Sequence, residues 1–434
     1  MLRQLKLTQT ATRRLFTTRT TPPTTTLSTL AIHGGETQDS TTHASQPPLH
    51  LSTTFGVKEP LSFSANNITD DSPWCYTRWA NPTVQSLEKK IALLENAPEK
   101  SNCVTFASGM SASAAMMFTF LKQGDHVVAA DVNYPGVAEL LRVTLPKFGI
   151  DVTTVDPTNL SLVKNAMQKN TKMVWIETPS NPILRLCDIE AIANIAHASD
   201  AELVVDSTFA TPCITTPLDL GADFVVHSLS KYLNGHGDAI GGCVVGQASD
   251  RISELRAEGA IHHGGILSPF NAFLIARGMS TLPLRMKQHS KSADIISEWL
   301  IHNAKGTCSV IEEVFWPHSI LHPQYELAKK QMKMGGGMIS FRVKGGKKGA
   351  EKIALRMMSE LKTIHYAVSL GHQRSLIYLL GTDELASDEG SSYSLKGEAL
   401  EHYKRYAGDG GIFRFSVGLE DPEDLIRDLE RVLY

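Results

Sequence analysis

Three features of the sequence predict an α/β protein with a mostly parallel, helix-covered sheet followed by a smaller α+β domain. Short β-branched runs alternate with helix-period segments through the middle of the chain. Those runs are almost wholly apolar, as strands buried on both faces are. From roughly residue 290 the pattern changes to longer helical stretches separated by strands.

The predicted strands lie at Val104–Phe106, Val127–Ala130, Met173–Glu177, Leu203–Val205, Phe224–His227 and Cys243–Val245. Between them, Val84–Glu95 sets Val84, Leu87, Ile91 and Leu94 at helical spacing, and Asp188–Ser199 opens on a carboxylate able to cap a helix. Repeated strand–helix alternation implies crossover connections, and therefore parallel strands. In the smaller domain, helices are expected at Ser292–His302 and Ala350–Leu361, strands near Met338–Val343 and Tyr366–Leu370, and a closing helix from Asp421.

Composition narrows the function. With 42 Lys+Arg against 45 Asp+Glu in 434 residues, the chain lacks the basic excess of a nucleic-acid or membrane-surface protein, so neither is expected as a partner. No apolar stretch of about 18 residues is present to span a bilayer. The six cysteines form no C-x-x-C pair and no His cluster has ligand spacing, which argues against a disulfide framework and against a bound metal. Before Glu36 there is no acidic residue, and Arg3, Lys6, Arg13, Arg14 and Arg19 are interleaved with Thr and Leu. That composition predicts a mitochondrial (matrix) targeting segment over residues 1–30, with a Thr-rich disordered tail as the alternative.

Two patterns mislead. Gly235-His236-Gly237-Asp238-Ala239-Ile240 ends in Ile where a dinucleotide fingerprint needs Gly, and Gly109-Met110-Ser111-Ala112-Ser113 ends in Ser where a nucleophile elbow needs Gly.

The chemistry concentrates between Leu203 and Gly242. Asp206 ends one predicted strand and Lys231 follows another, which places a carboxylate and an amine at the ligand-binding edge of a parallel sheet. A desolvated lysine there has a lowered pKa and can form a Schiff base. A carboxylate can hold a pyridinium nitrogen protonated, so the pair describes a pyridoxal 5'-phosphate site. For the phosphate, the strand ending at Phe106 leads into Gly109 and Met110 at a helix N-terminus, where amides face an anion. Ser228 and Ser230, two residues apart before Lys231, are expected to share a strand face and add hydroxyls.

The chain resembles the Cys/Met-metabolism family of fold-type-I pyridoxal-phosphate enzymes from about Ala31 to Tyr434. The resemblance is carried by Tyr76-Thr77-Arg78-Trp79-Ala80-Asn81-Pro82-Thr83, Ser108-Gly109-Met110-Ser111-Ala112, Glu177-Thr178-Pro179-Ser180-Asn181-Pro182, His227-Ser228-Leu229-Ser230-Lys231-Tyr232 and Arg414-Phe415-Ser416-Val417-Gly418-Leu419-Glu420-Asp421. It implies an arm over 31–83, a cofactor-binding domain over 84–285 and a small domain over 286–434. It further implies that Tyr76 and Arg78 reach the phosphate of a neighbouring subunit, so that a homodimer or homotetramer is needed. Tyr134 would stack on the cofactor ring, Tyr76 would lie near the reacting groups, and Asn181 would bond the ring hydroxyl oxygen. Arg414 would hold the substrate carboxylate beside the Ser369 backbone; the competing reading pairs Arg414 with Glu420 or Asp421.

In such a site Lys231, once displaced by a sulfur amino acid, becomes a general base and shuttles protons between carbons. Elimination gives thiol, ammonia and a 2-oxo acid, with methionine or cystathionine as candidate substrates; capture by a thiol gives γ-replacement, as in cystathionine γ-synthases. Val368 resembles methionine γ-lyases. Val137, Arg374 and the acidic, Ser-rich Asp383–Ser392 depart from the family pattern around the substrate. An aminotransferase and a non-catalytic homologue are the more distant alternatives.

Overall fold

The computed structural model describes residues 25–58, 64–65, 72–306, 309–382, 395 and 397–434. The basic residues of the expected targeting segment, Cys308 and the whole acidic, Ser-rich stretch Asp383–Ser392 lie outside the described residues.

Seven strands form the larger sheet: β1 (Cys103–Phe106), β2 (His126–Ala130), β3 (Asp151–Val155), β4 (Thr171–Glu177), β5 (Glu202–Asp206), β6 (Phe224–Ser228) and β7 (Gly242–Gly246). Their order is β1-β7-β6-β5-β4-β2-β3. Strands β2 to β6 pair in parallel, whereas β7 runs antiparallel to both β1 and β6. The C-terminal ends of β1, β4, β5 and β6 therefore open on one edge. Alternate residues feed the cores on the two faces of the sheet: Val204 and Val226 lie on one face, Leu203, Val205 and Val225 on the other.

A second sheet comprises β8 (Ile311–Phe315), β9 (Met338–Val343), β10 (His365–Tyr366), β11 (Leu376–Leu380) and β12 (Ile412–Ser416), in the order β10-β11-β12-β9-β8. The strand expected over Tyr366–Leu370 stops at Tyr366, because Ser369 adopts φ +95° and turns the chain out of extended pairing.

Helix starts follow the side chains that cap them. Asn81 accepts from Thr83 N–H ahead of helix Pro82–Leu94, Asp188 accepts from Ala191 N–H ahead of Ile189–His197, and Asp421 opens Pro422–Leu433. Helix Leu282–Ala304 joins the two sheets, with Leu282 and Met286 in a core of the larger and Ala293, Ile296 and Leu300 in the core of the second. It runs through residues 285 and 286 without a break. At the N-terminal side, helix Leu27–His33 docks through buried Ala31, and the Lys90 ammonium donates to the carbonyls of Ala31 (2.9 Å) and Ile32 (3.0 Å).

Cys75, Cys103, Cys187, Cys213 and Cys243 are free thiols. Among the described residues no His/Cys/Asp/Glu group could hold a metal, and no helix is long and apolar enough to cross a membrane.

Candidate active site

The sheet edge assembles the site. Asp206 is the last residue of β5, buried, and its Oδ1 accepts from Thr208 N–H (3.0 Å) and Thr208 Oγ1 (2.6 Å). The same Thr208 hydroxyl accepts from Ser228 N–H (2.9 Å), which ties the ends of β5 and β6 together. Burial raises the Asp206 carboxyl above its usual range, against the Thr208 bonds. A positively charged ring nitrogen beside it would reverse that shift.

Lys231 lies in the turn after β6, where its Nζ donates to Ser369 Oγ (2.8 Å). Burial, then the charge of Arg414, lower its pKa to about 8, so the amine is available as a nucleophile near neutrality. Arg414, in the middle of β12, is buried; its guanidinium donates to Asn181 Oδ1 (2.9 Å) and to the Ser369 carbonyl (3.1 Å). Pairing with Glu420 or Asp421 does not occur: Glu420 accepts from Ser375 N–H and Oγ, and Asp421 accepts from Glu423 N–H. Ser369 thus holds Lys231 through its hydroxyl and Arg414 through its carbonyl. Its positive φ is strain that these contacts stabilise.

Helix Gly109–Phe120 begins directly after β1, with the Ser108 hydroxyl accepting from Ser111 N–H. That leaves the Gly109 and Met110 amides as first-turn donors with no acceptor of their own in the helix. A Cβ on Gly109 would stand 3.0 Å from Ser228 Cβ, so only glycine lets the helix end approach β6 this closely. Ser228 ends β6 as expected. Ser230 does not share its strand: it sits in the turn, where its hydroxyl accepts from Gly241 N–H (3.1 Å), because β6 ends at Ser228.

Tyr134 precedes a short helix and remains exposed, while its N–H donates to Glu177 Oε2 (2.6 Å). Glu177 also accepts from Asn181 N–H (2.8 Å) through a segment with cis bonds before Pro179 and Pro182. Tyr76 and Arg78 stand apart. Arg78 donates to the Ile261 carbonyl (2.9 Å) and lies 5.6 Å over the Tyr76 ring. Among the described residues no contact joins either to Lys231, Asp206 or Arg414.

Sequence reasoning missed Thr208, Glu177 and His372, whose Nε2 lies 3.3 Å from Ser369 Oγ. An Asp with a Thr two positions later was a readable signal, since such a hydroxyl closes back on the carboxylate. Nothing local marked His372.

The residues fit pyridoxal 5'-phosphate. A half-buried amine and a buried carboxylate that form no ion pair with each other share the edge with a helix N-terminus. This is the donor set for an aldehyde, a ring nitrogen and a phosphate respectively.

Comparison with known proteins agrees. Residues 28–434 match the family described as Cys/Met metabolism PLP-dependent enzyme. The L-methionine gamma-lyase of Fusobacterium nucleatum subsp. polymorphum is 41% identical over 411 residues, covering 94% of this chain and 98% of that one. The crystal structure of metB from Corynebacterium glutamicum superposes with a TM-score of 0.82 at 36% identity, covering 95% of this chain and 99% of that one. That of cystathionine gamma-lyase from Lactobacillus plantarum complexed with L-serine gives 0.79 at 33% identity, covering 94% and 98%. With its fold-type-I architecture and a family match over residues 28–434, the chain belongs to the Cys/Met-metabolism family of PLP-dependent enzymes.

Proposed function

We propose that the protein is a carbon–sulfur lyase that eliminates a thiol from the β or γ carbon of a sulfur amino acid, with methionine and cystathionine as the candidate substrates, releasing ammonia and a 2-oxo acid. The observation that carries this is the double hold of Ser369, which fixes the proton-moving amine and the carboxylate-binding guanidinium relative to each other. The names of the relatives support it.

Bound pyridoxal phosphate supplies an electron sink for the charge left on Cα. Arg414 presents a planar fork to the substrate carboxylate, and Asn181 orients that fork. Lys231, with its pKa near 8, takes the Cα proton and returns it farther along the chain. Asp206, oriented by Thr208, would hold the proton of the ring nitrogen. Gly109, Met110 and Ser228 would hold the phosphate at the helix N-terminus. Tyr134, exposed at the mouth of the site, would cover one side of the ring. The same residues serve capture by an incoming thiol, which is the γ-replacement reading.

The holoenzyme incubated with methionine, cystathionine, cysteine and O-acylhomoserines distinguishes these. Equal yields of thiol, ammonia and 2-oxo acid support the lyase; a thioether formed without ammonia supports replacement; amino transfer to an acceptor without thiol release supports neither. Absence of a lysine-imine absorbance band, or its persistence in Lys231→Ala, overturns the mechanism.

Two further parts belong to this reading. Tyr76 and Arg78 complete the phosphate site of a second copy, so the working unit is at least a homodimer. Residues 1–30 direct the protein to mitochondria; a reporter carrying residues 1–35 that stays wholly cytosolic overturns that part.

A further inference from the structure

A second titratable group is wired to the lysine. Lys231 Nζ donates to Ser369 Oγ at 2.8 Å, so the hydroxyl proton must point elsewhere, and His372 Nε2 lies 3.3 Å from the same oxygen. The geometry makes Nε2 the acceptor of that proton, with the other ring nitrogen carrying the imidazole hydrogen. The ring is held from behind: a Cβ on Gly237, at φ +70°, would stand 2.8 Å from His372 Cε1 and Nδ1. The imidazole can therefore take this position only over a glycine. Burial, then the charge of Lys231, push His372 below its ordinary value, against the pull of Asp238, so the ring is neutral at pH 7. The other charged or titratable groups nearby are Arg414, which reaches the Ser369 carbonyl, and His236, whose Nδ1 is taken up by the Asn234 carbonyl; the next charged residue along the chain is the exposed Arg374.

We propose that His372 is a positioning residue for Lys231, holding the Ser369 hydroxyl so that its lone pairs face the amine. This rests on the reading of Lys231 as the proton-moving amine. An oxygen aimed in this way favours the ammonium form, the form Lys231 takes after it has accepted the Cα proton. Without the imidazole, the hydroxyl is free to turn its own hydrogen toward the amine, which favours the neutral form instead.

The test compares wild-type holoenzyme with His372→Phe and His372→Gln. Each is depleted of cofactor and re-supplied with pyridoxal phosphate, and the return of the imine band is followed across pH, because its rate tracks the neutral fraction of Lys231. Turnover is measured alongside. In His372→Phe the midpoint of recapture moves to lower pH by about half a unit or more. Its kcat falls about tenfold while KM changes by less than about twofold. His372→Gln, whose side-chain carbonyl can accept the same hydroxyl proton, returns both readings towards wild type. A wild-type midpoint in His372→Phe overturns the proposal, as does a His372→Gln enzyme that follows His372→Phe in both readings, since that would mean the ring only packs against Gly237. Failure of the underlying reading is separate: it appears as an imine band that survives in Lys231→Ala.

Discussion

Glu177 and Asp206 are register partners at the C-terminal ends of β4 and β5, two buried carboxylates side by side. In a low-dielectric setting they resist being charged together, and they titrate as a pair. Burial, and then Asp206, raise the Glu177 carboxyl well above its usual range, against the N–H groups of Asn181 and Tyr134 that it accepts. The pair therefore divides one proton between two carboxyls, and a cationic ring nitrogen beside Asp206 would draw the remaining charge to that residue.

That division is testable by stability. A carboxyl raised in the folded state binds more protons folded than unfolded, so its contribution declines as pH rises from 4.5 towards the folded value. Glu177→Gln cannot titrate and should flatten this decline. Thermal unfolding of the cofactor-free enzyme, followed upward from pH 4.5, measures it; a slope unchanged from wild type would contradict the assignment.

Arg414 gives a second prediction. Arg414→Lys keeps the charge but cannot span both Asn181 Oδ1 and the Ser369 carbonyl. Losing one charge-assisted bond to the substrate carboxylate costs about 1.5–3 kcal/mol, so KM for the amino acid should rise about 10–100-fold. The resting imine absorbance should not change. Steady-state kinetics together with the spectrum check both halves.

How far the sequence could be read depends on where each signal is carried. Strands β4, β5 and β6 are buried on both faces, so they appear as continuous apolar runs, and with them came Asp206 and the position of Lys231. Strand β12 reads Ile-Phe-Arg-Phe-Ser, and the arginine that matters for function interrupts the run that would have marked the strand. Strand β3 lies at the sheet edge, is part-exposed and carries two threonines, so it lacks the same signature. Contacts that define the site cross long stretches of chain: Lys231 and Ser369 are 138 positions apart. Motifs could name such residues, but only the fold brings them within a hydrogen bond of each other.

A third prediction concerns His227 and Glu95, both fully buried, with Nε2 2.5 Å from Oε1. Burial alone would lower the imidazole, but Glu95 outweighs it and holds His227 at about 9 against an ordinary 6.5. The stability from this raised pKa is complete below pH 6.5 and is lost as pH rises through about 9. Glu95→Gln should destabilise the protein at pH 7 by about 2–3 kcal/mol, the worth of the shift from 6.5 to about 9 at that pH, because His227 then folds without its partner and gives up its proton. The same variant should lose the decline in stability between pH 6.5 and 9. Denaturant unfolding at several pH values reads both effects, and an equal decline in wild type and variant would sink the assignment.

The arm supplies the last prediction. Arg78 and Tyr76 make no described contact with their own chain's Lys231, Asp206 or Arg414, whereas Arg78 is suited to fork onto a phosphate. If they serve a neighbour's site, Lys231→Ala and Arg78→Ala are each inactive or weak alone but complement each other. A mixed dimer keeps one complete site, made from the Lys231 of one chain and the Arg78 of the other. After subunit exchange, half the dimers are mixed and half of their sites are complete, so activity should recover to about a quarter of wild type. Sites completed within a single chain would give no recovery on mixing, because every Lys231→Ala chain would stay inactive and every Arg78→Ala chain would stay weak whatever its partner.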